Sequence, residues 1–297
     1  MRLLRDERGE ITLVQMLVAA TMMLVVMGAT LTVFSSAQKL TNQANERQDE
    51  QDSARTALDA MAAQLRNLAS PTADQPQAID SAGSYDLVFQ TVDRVGPNSG
   101  LNASNVMRVR YCLGTTNTTT LYRQEQRWTT QATPAAPATT ACPSTASGWS
   151  AGRAVTQYVV NRRNSLDRPI FTYNAVAVTD VSAIHAQLYV DRDINHAPAE
   201  TVLSSGVFLR NQNRRPVAVF AADTTVRGKV ILNGAPSSDP EGDPLTFVWF
   251  DGTTKIGTGI RFDYTVTPAT SHNLQLKVFD LAGLEGDSAV QTVVAQS

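Results

Sequence analysis

The chain opens with one long run of apolar positions and then changes its period. From Ile11 to Phe34 no residue is charged, a run of roughly 24 that is long enough to cross a bilayer as a helix. Beyond it, "QKLTNQANERQDEQDSARTALDAMAAQLRNLAS" holds almost no strand formers, and neither Gly nor Pro occurs until Pro71. Within that stretch Ala54, Leu58, Met61, Leu65 and Leu68 recur at spacings of four and three, which is one face of a helix. Glu46, Arg47, Asp49, Glu50 and Asp52 fall in the earlier, more polar portion, which predicts a solvated or loosely packed stretch there. Nothing between Phe34 and Gln38 breaks a helix. The pattern therefore predicts one continuous helix over 11–69, membrane-spanning to about residue 34 and roughly 85–90 Å long at 1.5 Å per residue. Ser70-Pro71 should stop it, because the residue before a proline is pushed out of the helical region.

After the helix the period becomes two. "SYDLVFQTV", "VMRVRYCL", "TTLYRQEQRW", "VTQYVV" and "AIHAQLYV" alternate or run in short β-branched and aromatic bursts bounded by Gly, Pro and Asn, which predicts strands. The low-complexity segment from Thr129 to Gly148 should be a long exposed loop. Residues 70–210 thus form a β head, antiparallel, with the long helix packed on it, an α+β arrangement. From Arg214 a second β region begins: "PVAVFAA", "GKVILNG", "LTFVWF", "GIRFDYTV", "NLQLKVFD" and "SAVQTVVA" are short strands at regular spacing. That rhythm predicts a sandwich of about seven strands over 214–297, with Trp249 on the third strand as its core aromatic. Asn211 to Arg215 is the expected hinge.

Charge gives the apolar run a direction. Arg2, Arg5 and Arg8 precede it and the next cation is Lys39, so the positive-inside rule leaves the N-terminus in the cytoplasm and sends the rest outward. A cleaved signal peptide, with "FSSA" before Gln38 as its cut site, is the competing reading, but cores of such signals run only about 7–15 residues. Net charge is −2, which speaks against a general affinity for nucleic acid or anionic lipid. The two cysteines, Cys112 and Cys142, lie beyond the apolar run. In an oxidising compartment a disulfide between them is the default reading, two unpaired thiols the alternative. Such a bond would tether the long loop to the sheet.

The arginine-rich leader, Gly9, "ITLVQMLVA", the spanning helix and the helix-on-sheet head together resemble the type IV pilin and type II secretion pseudopilin superfamily. The resemblance is specific for about the first 60 residues. "SARTALDAMAAQLRNL" and "SSGVFLRN" are similar to the large minor subunits, J-type pseudopilins or W-type minor pilins. It implies a leader over 1–10 removed by a membrane prepilin peptidase that also methylates the new N-terminus. Cleavage after Gly9 is favoured and makes Glu10 the first mature residue; cleavage after Glu10, leaving Ile11, is the alternative. Ile11, Thr12, Leu13 and Gln15 would be the assembly face of the helix; Gln15 falls where the family carries a buried acid when the mature chain starts at Ile11, and one place out of register when it starts at Glu10. A glutamine cannot form the family's ion pair, though it can hydrogen-bond across helices for about 0.6–2 kcal/mol. That fits a tip or initiating subunit, which has no neighbour above it; sequence drift is the other reading. The last 80 or so residues resemble a PKD domain through "NGAPSSDPEGDPLTFVWF" and "LKVFDLAGLEGDSAVQTVV", with the usual W-D-F-G-D-G reduced to Trp249-Phe250-Asp251-Gly252.

Other candidates are sparse. Asp239, Glu241 and Asp243 alternate in a turn and could offer oxygens to calcium, although Asp-Pro and Gly-Asp-Pro also simply make turns. No other cofactor is expected. His185, His196 and His272 are scattered, and His185 reads as a sheet-surface residue, since metal sites need clustered ligands. "GTTKIGTGIRF" does not sit between a buried strand and a helix, as a nucleotide loop must. Asn102 and Asn117 match a glycosylation pattern that a Thr-rich chain produces by chance, and "VNRRNS" is a brief basic loop. No triad or paired-carboxylate arrangement supports an enzyme. The expected function is that of a minor pilin or pseudopilin, a filament subunit whose partners are the major and other minor pilins, the prepilin peptidase and the inner-membrane assembly platform. Its expected place is the cytoplasmic membrane, single-pass, and then an extracellular or periplasmic filament. The rivals are a singly anchored cell-surface binding protein and an accessory module of a secreted hydrolase.

Overall fold

The computed structural model describes residues 13–69, 76–93, 106–128, 133–163, 166–195, 197 and 200–297. It is an α+β fold in which one long helix precedes a series of antiparallel sheets. Helix α1 runs Leu13–Arg66. The chain divides into two compact units, one reaching to Glu50 and one spanning Gln51–Ser297.

In the first unit the helix is apolar and exposed: Leu13, Leu17, Met23, Val25, Val33 and Phe34 all lie on its surface. It is long and apolar enough to cross a membrane. Its few hydroxyls are satisfied internally. Thr21, Thr30, Thr32 and Ser35 donate to carbonyls three residues back, and Ser36 and Thr41 to carbonyls four back. A helix in hydrocarbon must meet its hydrogen bonds in this way, because no water is there to do it.

In the second unit α1 buries Ala54, Leu58, Met61 and Leu65, the sequence-predicted stripe, widened by Ala57 and Ala62. The helix ends at Arg66, three residues before the expected Ala69. The reason is competition from the sheet. Asn67 N–H bonds the Gln64 carbonyl at 3.0 Å, its Nδ2 donates back to Ala63 O, and Ala69 N–H already belongs to Gln90 O. Thr91 Oγ1 reaches both Gln64 O and Asn67 O, occupying carbonyls that the helix end leaves open.

Strands β1 (Ile79–Ala82), β2 (Asp86–Val92), β3 (Val106–Leu113), β4 (Leu121–Arg127) and β5 (Arg153–Thr156) form an antiparallel sheet in chain order. A second sheet takes β6 (Phe171–Tyr173), β7 (Ala183–Val190) and β8 (Thr201–Phe208) in the order β6-β7-β8. One core joins α1 to both sheets through Leu58, Met61, Phe89, Val109, Tyr111, Leu121, Ile184, Leu188 and Val207. The expected strand over 155–160 is cut short, because Tyr158 takes a left-handed φ of 59° and only Val159 resumes pairing, opposite Val190.

The last region contains β9 (Ala221–Asp223), β10 (Lys229–Asn233), β11 (Thr246–Asp251), β12 (Thr254–Thr258), β13 (Arg261–Thr265), β14 (Ser271–Phe279), β15 (Glu285–Asp287) and β16 (Gln291–Val294). One sheet runs β13-β10-β9, the other β12-β11-β14-β15 with β16 also on β14. Between them Phe220, Val230, Leu232, Leu274, Leu276 and Val278 close around Trp249, which is fully buried, with its Nε1–H on Gly259 O at 2.8 Å. The hairpin strand β12 and the short β15 are additions to the strands read from the sequence. The expected hinge is not an open linker: Gln212 and Asn213 are buried, and Arg215 N–H bonds Thr179 O.

Candidate functional site

Gly9, Glu10, Ile11 and Thr12, the candidate cleavage and assembly positions, lie outside the described residues, as do Asn102 and His196. Leu13 and Gln15 fall on α1, where Leu13 is 79% exposed and Gln15 is also at the surface. Among the described residues of this unit, the Leu, Val, Met and Phe side chains of the apolar span are exposed.

Cys112 and Cys142 form the disulfide that the compartment argument anticipated, with Cα atoms 6.0 Å apart. What surrounds it differs from expectation. Strand β3 is buried on both faces. Val109 and Tyr111 face the core, whereas Arg108 and Arg110 point the other way and are still 2% and 1% exposed. Residues 133–150 lie over them as a strap, so this segment is irregular but not simply an exposed loop. Arg110 holds both oxygens of Asp86, at 2.9 and 2.6 Å, and donates to Thr139 O and Ala141 O at 2.8 Å each. Arg108 binds Asp80 and Gln126 and stacks over Trp128 at 5.3 Å. Gln124 exchanges two hydrogen bonds with Ser144, and Gln126 donates to Ala135 O. Strap backbone, rather than strap side chains, supplies most of these acceptors, and for that reason a low-complexity sequence gave no sign of it.

The acidic turn does not gather its three carboxylates. Asp239 Oδ1 accepts from the Glu241 and Asp243 amides at 2.8 and 3.0 Å, which is a side-chain-closed turn. Arg214 draws Glu241 away, with Nε at 2.6 Å. Burial, and then the charges of Asp239, Asp280 and Glu241, hold the Asp243 carboxyl above the usual carboxylate range. Among the described residues no group of three His, Cys, Asp or Glu side chains is placed to hold a metal ion. Asp239 Oδ2 and Asn213 Oδ1 are each buried without a hydrogen-bond partner among the described residues, while Asn213 Nδ2 donates to Asp280 Oδ2 at 2.6 Å.

Folding also lines up three residues that the sequence kept apart. His272 Nδ1 lies 2.6 Å from Asp251 Oδ2, and its Nε2 lies 2.7 Å from Thr270 Oγ1. The Thr270 hydroxyl also lies 2.6 Å from Thr267 O, so it is tied to the backbone of its own turn as well as to the imidazole. Tyr264 O–H and the Asn273 amide also bond Asp251, so the cluster ties β11, β13 and β14 together. Burial pushes the Asp251 carboxyl up, but the bonds from His272, Tyr264 and Asn273 outweigh it and leave the group below its ordinary range. His185 sits on the outer face of β7, as anticipated for a surface residue.

Two clefts of about 320 and 340 Å³ flank Gln64 and Arg123, where α1 meets the first sheet. Ion pairs run along them: Arg127 bonds Glu125 and Asp93, and Arg123 bonds Glu125. Tyr111 donates to Gln64 Oε1 at 2.8 Å, and burial pushes its phenol up to about 12.

No family model matches the chain, and no curated protein matches it. Among solved structures it is similar to the crystal structure of the PKD1 domain of Vibrio anguillarum Epp, at 22% sequence identity, over 29% of this chain and 98% of that one, with a TM-score of 0.26.

Proposed function

We propose that this chain is a minor pilin or pseudopilin, a structural subunit of a type IV pilus or a related secretion or DNA-uptake filament, carrying a PKD-like module at its C-terminal end. The observation that supports it is the double character of α1: an exposed, uncharged span whose hydroxyls are internally bonded, and a buried stripe that fixes the same helix to an antiparallel head. A simple anchor has no need of the second feature, and a cleaved signal would lose the first.

In this reading the chain inserts once with its N-terminus in the cytoplasm, and a prepilin peptidase removes the leader. The apolar helix then packs laterally with major and other minor pilins as the assembly platform extracts it. Gln15, in place of a buried acid, suits a subunit at the tip or in initiation, where no ion pair to a subunit above is needed. The C-terminal sandwich has room at an end that a helical shaft denies it. The role is structural, without catalysis. The test is the mass of the mature protein purified from membranes of cells that contain the peptidase, followed by capture with the major pilin. A chain starting at Glu10 or Ile11 that co-purifies with pilin is the expected result. An intact Met1 without pilin would instead mark a singly anchored surface protein.

A further inference from the structure

We propose that the free edge of β8 pairs antiparallel with β8 of a second copy of this chain. The phase of its ladder is set by the Leu209 N–H bond to Ser182 O at 2.9 Å. Thr201, Leu203, Ser205 and Val207 therefore turn their backbone groups toward β7, and Val202, Ser204, Gly206 and Phe208 turn theirs outward. None of those four outward residues has a backbone bond to any other described element. Edge strands are normally guarded by charge, proline, a bulge or shortness. β8 has none of these guards: it is eight residues long, uncharged, free of proline, and in unbroken register with β7. The other edges described are protected. β1, β5 and β16 have four residues each, β6, β9 and β15 three, β12 carries Lys255, and β13 carries Arg261 and Asp263.

A second copy is the occupant because one register satisfies three separate features at once. Placing Val202 opposite Phe208 and Ser204 opposite Gly206 pairs every outward amide of one β8 with one of the other, two bonds per pair. The same register sets the two exposed apolar side chains, Val202 at 48% and Phe208 at 81%, against each other, an aromatic on a β-branched neighbour. It also brings Glu200, just before the strand, across from Arg210, just after it, at both ends. Arg168 already orients the Glu200 carboxylate, and Arg210 has no ion pair among the described residues. The two-fold axis then passes between the two Ser205 residues, a non-hydrogen-bonded pair with Cα atoms about 4.5 Å apart. This pairing does not depend on entry into a filament.

The test uses the full chain in detergent with Ser205→Cys. Both native cysteines are in the disulfide, so the new thiol is the reactive one. Mild oxidation should give a disulfide-linked dimer at least tenfold more abundant than an exposed control, Leu281→Cys. Adding Phe208→Lys should return the dimer to the control level while leaving the melting temperature unchanged. If that variant does not fold, Arg210→Glu in the same background sets like charges opposite each other and should give the same drop. Equal cross-linking at positions 205 and 281, or a position-205 dimer that survives these variants, would mean that the membrane helix drives association, and the proposal fails.

Discussion

Replacing Arg110 with methionine probes whether the strap is held from below. The guanidinium is 1% exposed and binds Asp86 bidentately, and it donates to the Thr139 and Ala141 carbonyls. Breaking a buried ion pair by removing one partner costs about 3–5 kcal/mol. Asp86 keeps a third of its side chain in water and can rehydrate, so the lower end applies. The two strap carbonyls belong to exposed residues and lose roughly 0.5 kcal/mol each once water replaces the donor. The sum is about 3–4 kcal/mol, or a melting shift of roughly 6–16 °C at 2–4 °C per kcal/mol for a unit of this size. The assay is urea unfolding followed by tryptophan emission in a Trp249→Phe background, where Trp128 and Trp149 report on the head. Protease sensitivity should rise between Pro134 and Ser144 under native conditions. A cost below about 1 kcal/mol, with the strap still protected, would refute the idea that Arg110 anchors it.

Three further outcomes follow from the geometry. Cys112→Ser with Cys142→Ser opens a loop of sequence separation 30 and should cost about 3–4 kcal/mol in the chain-entropy model, read in the same assay. Asp251 has a carboxyl held below its ordinary value, so its contribution is present above about pH 4 and is lost as pH falls through the lower folded value. Asp251→Asn should therefore flatten the acid limb of the sandwich's stability curve and cost about 1–2 kcal/mol at pH 7, with Trp249 as the probe. Gly286→Ala should destabilise the sandwich by at least about 1–3 kcal/mol, because an added Cβ would lie 1.9 Å from the Pro216 carbonyl oxygen, where the backbone has no room to yield; unchanged thermal unfolding would count against the packing described.

The sequence made the long helix, its buried stripe and most of the strands legible, because each carries its period in consecutive residues. Ala54, Leu58, Met61 and Leu65 needed only counting. β8 was less visible: Thr201–Phe208 holds two serines and a glycine, and its extended state comes from pairing with β7 rather than from its own alternation. The helix end was misplaced for a similar reason, since Leu68 and Ala69 have helical propensity but are captured by the last residues of β2. Arg108 and Arg110 alternate with apolar residues like an ordinary solvated face, Gln124 and Gln126 stand among charged ones, and only the strap's carbonyls turn that face into an interior. The His272 cluster was invisible because its members come from three separate strands or their flanks.

The strap over the first sheet has a consequence for how this protein can change over time. Main-chain oxygens make its contacts, so the identity of Ala136, Ala138, Thr139 and Thr140, whose side chains face outward, is almost unconstrained by the fold beneath. The surface it presents can be rewritten by drift or by design while Arg108, Arg110 and the disulfide keep the path of the chain. That makes the outward side chains of residues 136 and 138–140 a natural place to vary surface character at little cost to the sheet below.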